Sequence, residues 1–490
     1  MPIIPVLYAV AMAVLLAYGL NLLWMAVVYA RHERLRTGPV PDPDAVEAPG
    51  PDAPVVTVQL PLYNEAEVAE RLIDACAALR YPRHRLEIQV LDDSTDETAA
   101  LVARRVRLWR QRGLDIVHVH RTHREGYKAG ALANGLRMAR GAFVAVFDAD
   151  FVPTPDFLLR LLPRFGDPRV GMVQARWGHL NADDTLLTRI QAFGLDAHFA
   201  VEQYVRGLAG CFINFNGTAG LWRRACIDDA GGWQSDTLAE DLDLSYRAQL
   251  RGWRFRFADD VEVPAEVPVA INALRAQQFR WTKGAAETAR KLLGTLWRSE
   301  QPRRVKIEGT FHLTAHLAFP FVVVAAALHA PLLVLEHLGR GPGPAYFAVL
   351  GLGLVGFAGF FLAQLFAQRA LYPDWGRRLL LFPLFLAGSM GMALNNTRAI
   401  WQAVRGRRTA FVRTPKHGVG AGAWWKGRYA DARIPPVVWL EGALAVYCGA
   451  GLVAVAAAGA WAAVPFQAFF ALAFGLVTVY NVRQYRQVRA

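Results

Sequence analysis

Residues 142–150 read Ala-Phe-Val-Ala-Val-Phe-Asp-Ala-Asp. Six apolar residues in a row are typical of a buried strand in a parallel sheet. The run ends at Asp148 and Asp150, where such a strand reaches the ligand-binding edge of an α/β sheet. Carboxylate oxygens suit hard divalent cations, and Mg²⁺ is usually shared between one or two carboxylates and substrate phosphates. Taken alone, the pair also fits a solvated strand end, so its meaning depends on the neighbouring motifs.

Strands and helices alternate on the N-terminal side of this run. The predicted strands are 55–60, 86–91, 116–120 and 142–147, and the predicted helices include 65–80 and 127–140. Residues 92–97 open another helix, in which Ser94 and Glu97 have the spacing of a capping box. Such alternation predicts an α/β fold with a doubly wound, parallel sheet. No G-x-G-x-x-G follows the first strand and no P-loop sequence occurs, which argues against an ordinary dinucleotide site.

Hydrophobic residues make up 54% of the 490-residue chain and concentrate in nearly uncharged stretches. These stretches are residues 3–30, 311–335, 345–368, 379–401, 436–460 and 461–480. Each approaches the roughly 20 residues that cross a bilayer as a helix. The first is too long for a signal-peptide core and lacks a basic leader, so we expect a retained anchor. The sequence therefore predicts an integral protein of a plasma or inner membrane, with a globular segment at about residues 50–300.

Charge and cysteine patterns limit the possible partners. The net charge of +13 lies largely in clusters that flank the apolar stretches, such as Arg303, Arg304 and Lys306. Because basic flanks mark the cytoplasmic side, this placement favours a lipid bilayer and argues against nucleic acid. The four cysteines have no C-x-x-C or metal spacing, and thiols of a cytosolic domain are expected to stay reduced.

The same basic flanks predict the topology. The first stretch delivers the globular segment to the cytosol, 311–335 goes out and 345–368 returns. Stretch 379–401 has cytoplasmic-type flanks on both sides and carries Asn395, Asn396 and Arg398, which are costly against lipid. We expect an interfacial or re-entrant helix there, a cytosolic loop at 403–434, and two final crossings, which makes five spans.

The predicted domains follow from this topology. They are an N-terminal transmembrane helix at 1–30, a cytosolic domain at 31–306, two transmembrane helices at 307–368, an interfacial helix and cytosolic loop at 369–435, and two transmembrane helices with a basic tail at 436–490. The linker from Gly38 to Pro54 has the Gly, Pro, Asp and Ala content of an exposed boundary.

Acidic residues also follow the second predicted strand. Asp92 and Asp93 are expected at the same sheet edge as Asp148 and Asp150. Turn residues would explain Asp92 and Asp93 equally well, but two acidic strand ends in one sheet fit the floor of a sugar-nucleotide site. Lys128 stands at a helix start, where backbone amides and an ammonium group favour phosphate, although a surface lysine is the commoner explanation.

Two further motifs lie downstream. Asp241, in Glu240-Asp241, precedes a helical run. A carboxylate there suits the helix dipole, and a transferase acting on a hydroxyl also needs a carboxylate that takes the proton. Gln277, Arg280 and Trp281 lie just before the second apolar stretch. Trp and Arg are common membrane anchors, and they also offer a flat face to a pyranose ring and a fork to phosphate.

In this order the motifs resemble those of the processive family 2 glycosyltransferases, such as cellulose synthase and hyaluronan synthase. The matching residues are Asp92-Asp93, Asp148-x-Asp150, Glu240-Asp241 and Gln277-x-x-Arg280-Trp281. The stretches 59–65, 91–96, 174–177, 215–220 and 231–233 look like the cellulose-synthase-like A and C branch, which includes glucomannan (mannan) synthases. The likeness covers about residues 55–300 strongly, and the membrane part agrees mainly in layout.

The resemblance implies a fold and a donor site. The fold is a GT-A-like nucleotide-diphospho-sugar transferase domain in the cytosol, combined with an α-helical transmembrane domain. Mg²⁺ or Mn²⁺ held by Asp148 and Asp150 carries the donor diphosphate and stabilises the leaving nucleotide as a Lewis acid. Asp93, with Asp92, contacts the base or ribose, and Lys128 contacts the phosphates.

On the acceptor side, the resemblance implies a single inverting displacement. Asp241 deprotonates the acceptor hydroxyl, which attacks the anomeric carbon and turns an α-donor into a β-linkage. Trp281 stacks on the acceptor sugar at the entrance to a transmembrane channel, with Gln277 and Arg280 nearby. No covalent nucleophile is required, and no hydrolase-type carboxylate pair is evident.

Residues 411–416 look like the gating loop of cellulose synthases, whose pattern is Phe-x-Val-Thr-x-Lys. Phe411, Thr414 and Lys416 match it, whereas Arg413 stands where Val is usual. A solvated basic loop remains an equally good explanation of the segment. Its predicted cytosolic position after the interfacial helix favours the functional one.

Three functions compete at this point. The first is a polymerase that makes a β-1,4-mannan, glucomannan or glucan and moves it across the membrane. The second is a non-processive glycolipid synthase with a ceramide or diacylglycerol acceptor, and the third is a transporter or scaffold with a degenerate transferase domain. The gating-like loop and five spans favour the first, and the intact acidic motifs argue against the third. The likeness to mannan synthases favours GDP-mannose over UDP-glucose as the donor.

Overall fold

A seven-stranded mixed sheet forms the centre of the globular domain, with strand order β3-β2-β1-β4-β6-β5-β7. The computed structural model describes residues 3–36, 50, 52–416, 418 and 433–489. The strands are β1 (Val56–Leu62), β2 (Leu86–Asp92), β3 (Ile116–His120), β4 (Phe143–Val146), β5 (Val170–His179), β6 (Gly220–Arg223) and β7 (Arg254–Ala265). The first four are parallel to one another, as the alternating pattern predicted. The predicted α/β class is therefore confirmed.

Strand β6 makes the sheet mixed rather than wholly parallel. It is antiparallel to both β4 and β5, while β5 and β7 are parallel to each other. The backbone N–H of Ala219 donates to the Val146 carbonyl at 2.9 Å, so the chain enters β6 beside the end of β4 and must run the opposite way. This reversal brings the segment before β6 to the edge at which β4 ends.

Helices cover both faces of the sheet and continue into a long helix next to the membrane helices. Helix α1 (Ile3–Arg36) precedes the sheet in the chain. The helices that follow are α2 (Ala69–Ala77), α3 (Thr98–Gln111), α4 (Tyr127–Met138), α5 (Phe157–Leu161), α6 (Leu186–Ala197), α7 (Tyr204–Leu208), α8 (Arg224–Asp229), α9 (Glu240–Leu250) and the long α10 (Ile271–Arg298). Two apolar clusters, one on each face, fill the core around β1 and β4. Burial on both faces explains why β4 is a continuous apolar run.

The predicted capping box at Ser94 and Glu97 is wrong. Helix α3 begins at Thr98 with Glu97 as its N-cap residue, and no side chain caps it. The Ser94 hydroxyl instead accepts a hydrogen bond from the backbone N–H of Asn64 at 2.8 Å. Ser94 is therefore used to join the turns after β1 and β2, where the backbone of Asn64 has a positive φ of 53°.

Among the described residues, five helical segments are long and apolar enough to cross a membrane, and they overlap the five predicted spans. They are Ile3–Glu33, Arg303–His337, Pro344–Leu371, Pro436–Ala457 and Trp461–Arg489. The helices concerned are α1, α11 (Arg303–Thr314), α12 (Ala318–His337), α13 (Pro344–Leu350), α14 (Gly353–Leu371), α18 (Pro436–Ala457) and α19 (Val464–Arg489). Helix α1 crosses α14 so closely that a Cβ atom on Gly19 would lie 2.3 Å from the Gly356 Cα atom.

Between α14 and α18 lies a bent pair of helices that covers the predicted interfacial stretch. The pair consists of α16 (Phe382–Gly391) and α17 (Ala393–Val404), preceded by the short α15 (Trp375–Arg378), and it bends by 43°. Such geometry fits a broken span or a re-entrant loop. That stretch 379–401 does not cross the membrane therefore stays a prediction. The Asn395 amide is buried and donates to the Arg275 carbonyl at 3.2 Å, so protein rather than lipid surrounds it. Most of the predicted linker at 38–54 lies outside the described residues, and so do residues 417 and 419–432 of the predicted loop at 403–434.

Candidate active site

A cleft opens where β1, β2, β4, β5 and β7 end. It collects eleven of the twelve predicted site residues: Asp93, Lys128, Asp148, Asp150, Asp241, Gln277, Arg280, Trp281, Phe411, Thr414 and Lys416. Residues from the sheet, from α9, from α10 and from the segment after α17 thus meet in one place. Asp92 is the predicted site residue that does not line it.

Each carboxylate of the Asp-x-Asp motif is held by a lysine. The Lys128 ammonium lies 2.5 Å from Asp148 Oδ1, and the Lys416 ammonium lies 2.7 Å from Asp150 Oδ2. Burial raises the pKa of Asp150, and Lys416 opposes that rise. The backbone N–H of Asp148 donates to the Thr218 hydroxyl at 2.9 Å, which fixes the end of β4. Two cationic groups therefore occupy the carboxylate oxygens that the sequence assigns to a metal.

The residues present fit a divalent cation that arrives with a diphosphate. Among the described residues, no three His, Cys, Asp or Glu side chains gather closely enough to hold a metal ion alone. Two carboxylates supplemented by substrate phosphate oxygens are the usual protein contribution to a Mg²⁺ site. The cleft is lined by seven carboxylates and five cationic side chains, and this surplus of carboxylates favours a cation there.

The two aspartates after β2 have different surroundings. Asp92 is fully buried and accepts hydrogen bonds from the Ser94 N–H and from His118 Nε2, each at 2.8 Å. Although burial opposes ionisation, His118 and Ser94 lower the pKa of Asp92. Asp93 lines the cleft, where Arg121 donates to both of its oxygens, at 2.7 and 2.6 Å. Because successive side chains point to opposite sides of a strand, only one of the two could face the cleft.

Asp241 lies in the first turn of α9, and the Leu242 N–H donates to its Oδ1 at 2.8 Å. Burial, followed by the neighbouring Glu240 carboxylate, raises the pKa of Asp241 to about 7. Lys128 lies 4.0 Å from Glu240 and also donates to the Gly217 carbonyl at 2.8 Å. Although burial disfavours its charge, Asp148 and Glu240 raise the pKa of Lys128. A single lysine thus joins the Asp-x-Asp motif to the acidic start of α9.

Gly217 leaves room for this acidic pair. Its φ is +83°, and a Cβ atom there would lie 3.0 Å from Asp241 Oδ2 and 3.3 Å from the Lys128 ammonium. We expect Gly217→Ala to reduce turnover strongly, because the added methyl group displaces both side chains. The left-handed backbone adds a folding cost of about 1–2 kcal/mol. Turnover and melting temperature should be measured together.

Gly232→Ala is the matched control for that variant. Gly232 has a similar φ of +70°, but a Cβ atom on it would meet nothing within 4 Å. Both variants therefore carry the backbone cost, and only Gly217→Ala crowds Asp241. Equal losses of turnover in the two variants would show that the methyl contact is unimportant.

Gln277, Arg280 and Trp281 share one face of α10, since residues three and four apart in a helix are neighbours. All three line the cleft. Arg280 donates to the Val412 carbonyl at 2.9 Å, and its guanidinium lies 4.5 Å from the centre of the Phe411 ring. The helix that carries the predicted acceptor residues therefore also holds the segment 411–416.

Phe411 is packed between the globular domain and α10. Its ring stacks on Tyr127 with the centroids 6.0 Å apart, and the Arg124 guanidinium lies 5.7 Å from it. Arg124 also covers the ring of Tyr63 at 3.5 Å. The three matching residues of the gating-like pattern thus lie inside the cleft, together with Arg413, which departs from it.

Several cleft residues were not predicted from the sequence. Glu65 lies deep in the cleft, where burial raises its pKa to about 7 and Arg413 opposes that rise. Tyr63, Arg124 and Glu266 also line it. Tyr63 and Glu65 belong to stretch 59–65, which carried part of the family resemblance, so that stretch was the available clue. Nothing local marks Arg124 or Glu266.

A mixed α/β sheet with an acidic cleft at its strand ends defines a nucleotide-sugar transferase of GT-A architecture. Residues 52–284 match the description "Glycosyltransferase like family 2". The chain is 39% identical over 357 residues to rice (Oryza sativa subsp. japonica) glucomannan 4-beta-mannosyltransferase 1. These matched residues are 67% of this chain and 68% of the rice protein. The chain belongs to this glycosyltransferase family, as its motif order indicated.

A second relative supports this placement, and one solved structure shares the fold. Arabidopsis thaliana glucomannan 4-beta-mannosyltransferase 7 is 45% identical over 262 residues, which are 52% of this chain and 47% of that protein. The chain thus spans about half the length of that relative. A mannosyltransferase from Pyrobaculum calidifontis, solved in complex with GDP-Man and Mn²⁺, superimposes with a TM-score of 0.54 at 23% identity. The superposition covers 83% of this chain and 100% of the Pyrobaculum chain, and it shows that the two share a fold.

Proposed function

We propose that this chain is an inverting membrane hexosyltransferase that extends a β-1,4-linked mannan, glucomannan or glucan. The observation that carries the proposal is Lys128, which joins Asp148 of the strand-end motif to Glu240, next to Asp241. One lysine therefore contacts a carboxylate suited to a donor diphosphate and lies 4.0 Å from the carboxylate that precedes Asp241, the candidate base for an acceptor hydroxyl. The glucomannan 4-beta-mannosyltransferases among the relatives support a mannosyl donor.

The donor binds along the strand ends in this proposal. Asp148 and Asp150 hold the divalent cation, Mg²⁺ or Mn²⁺, which supplies Lewis-acid stabilisation of the departing nucleotide diphosphate. The complex of the Pyrobaculum mannosyltransferase with GDP-Man and Mn²⁺ supports a divalent cation in this role. Asp93 contacts the base or ribose, since it lines the cleft whereas Asp92 supports the turn from behind. Lys128 moves from Asp148 toward the diphosphate when the donor arrives.

The acceptor binds against α10. Trp281 offers its ring to the acceptor sugar, with Gln277 and Arg280 beside it, and Asp241 takes the proton of the attacking hydroxyl. A carboxylate with a pKa near 7 suits this role, because a general base works best when its pKa is close to the working pH. Attack from the face opposite the leaving nucleotide converts an α-donor to a β-linkage.

The surrounding architecture supports synthesis at a membrane. Helix α10 is followed directly by the candidate span Arg303–His337, and the gating-like residues Phe411, Thr414 and Lys416 line the cleft. We propose that the catalytic domain lies in the cytosol within residues 31–306, and that the glycan leaves through the helices of 307–368 and 436–490. Residues 369–435 contribute the interfacial helix and the loop over the donor.

Product analysis tests the function directly. Purified full-length protein in lipid should be incubated with labelled GDP-mannose or UDP-glucose, in Mg²⁺ or Mn²⁺. We expect a labelled polymer that β-mannanase degrades when GDP-mannose is supplied. A β-glucanase-sensitive polymer from UDP-glucose alone would keep the polymerase and overturn the mannosyl donor. A labelled lipid with a single sugar would overturn the polymerase in favour of a glycolipid synthase.

A further inference from the structure

Lys416 occupies an oxygen that the proposed cation needs. Its ammonium donates to Asp150 Oδ2 at 2.7 Å and to the Glu266 carbonyl at 3.1 Å. The side chains of Lys416 and Asp150 are only 11% and 5% exposed, so water screens the pair weakly. The contact joins residues 266 positions apart and is therefore a specific product of the way the segment 411–416 docks.

Contacts away from Asp150 determine the position of this lysine. Phe411 packs on Tyr127, the Val412 carbonyl accepts from Arg280, and Thr414 is buried. The segment is thus anchored at several points in the arrangement that puts Lys416 on Asp150. Undocking these contacts would remove the ammonium from the carboxylate.

The lysine on Asp148 has a different origin. Lys128 belongs to α4, inside the globular domain, and is tied to the Gly217 carbonyl. It can shift by rotating its side chain while its backbone stays in place. The ammonium on Asp150 instead comes from the segment 411–416, which follows α17, so Asp150 couples the Asp-x-Asp motif to that segment.

A cation and an ammonium group cannot share this oxygen. Like charges a few ångströms apart repel strongly where water is largely excluded. We propose that Lys416 is an exchangeable counter-ion of Asp150, which the divalent cation must displace when the donor binds. The lysine neutralises the carboxylate while the cleft lacks a donor, and its release couples cation binding to rearrangement of residues 411–416. This proposal rests on the proposed role of Asp150 as a cation ligand and adds a regulation of that site.

Binding of Mn²⁺ in the presence of one fixed, saturating concentration of GDP tests the exchange, since the diphosphate supplies the remaining cation ligands. Purified full-length protein in lipid should be titrated with Mn²⁺ and the free ion followed by electron paramagnetic resonance. We expect Lys416→Met to tighten binding about tenfold, as follows if the lysine occupies Asp150 in nine of ten molecules. Lys416→Arg, which retains a cation on the segment, should bind Mn²⁺ like the natural protein. Equal or weaker binding by Lys416→Met would overturn the proposal.

Chemical labelling supplies an independent readout. Because coupling between two ligands is reciprocal, Mn²⁺ should expose the Lys416 ammonium to an amine-reactive reagent, while Lys306 serves as the internal reference. Unchanged labelling of Lys416 on saturation with Mn²⁺ would contradict the exchange.

Asp150→Asn separates failure of this proposal from failure of the proposed cation site. Loss of Mn²⁺ binding in Asp150→Asn, combined with no tightening in Lys416→Met, would keep the cation site and overturn the exchange alone. Unchanged Mn²⁺ binding in Asp150→Asn would overturn both. Loss in Asp150→Asn with tightening in Lys416→Met supports both.

Discussion

Asp241→Asn is expected to lower the transfer rate on the order of 10²–10⁴-fold, the usual contribution of a positioned general base. The amide has nearly the same shape as the carboxylate but cannot accept the acceptor proton. Donor binding should change little, because the proposed donor contacts come from β2, β4 and α4. Turnover with saturating donor and acceptor gives the first quantity, and titration with the nucleoside diphosphate gives the second. A variant with near-normal turnover would show that another group takes the proton.

The pH profile checks the same assignment without removing the residue. Burial and Glu240 raise the pKa of Asp241 to about 7, so the base is protonated below that pH. Turnover should therefore rise with pH through about 7 and then level off. Glu240→Gln removes a carboxylate that raises the pKa of Asp241, so the rising limb should move to lower pH. A limb that does not move in Glu240→Gln would contradict the assignment.

The parts of the fold that follow from local pattern were predictable. The strand 116–120 matches β3, and the run 142–147 contains β4, because an apolar run bounded by turns has few other uses in an α/β domain. Helix 65–80 was predicted too long, since α2 covers only Ala69–Ala77 and the turn after Asn64 precedes it. The orientation of β6 was not predictable, because nothing in its four residues indicates from which edge the chain enters the sheet.

The site shows the same division. Asp148, Asp150 and Asp241 could be proposed because they follow a strand or begin a helix, and both features are visible in the sequence. Asp92 could not be separated from Asp93 without knowing on which side of β2 each side chain lies. The pairing of Lys416 with Asp150 depends on how the membrane helices dock against the sheet, and no local periodicity encodes that docking.

Arg275→Ala is expected to destabilise the protein by about 3–5 kcal/mol, the usual result of removing one partner of a buried ion pair. Arg275 on α10 donates to both oxygens of Glu441 on α18, at 2.6 and 2.8 Å. The side chains are 4% and 0% exposed, so the variant leaves a carboxylate without its partner in an apolar surrounding. Because Asn395 of α17 donates to the Arg275 carbonyl, the same residue connects three helices beside the cleft. Thermal unfolding of the protein in lipid, followed by tryptophan fluorescence, measures the loss.

Two controls separate the buried charge from a general effect of losing an arginine. Arg251 pairs with Asp229 at 3.4 Å, but these side chains are 57% and 45% exposed. Arg251→Ala should therefore cost less than about 1 kcal/mol. The double variant Arg275→Met with Glu441→Leu removes both charges and should be close to the natural protein in stability, as replacement of a whole buried pair by apolar residues often is. If the double variant is as unstable as Arg275→Ala, the pair itself, rather than the stranded carboxylate, holds α10 against α18.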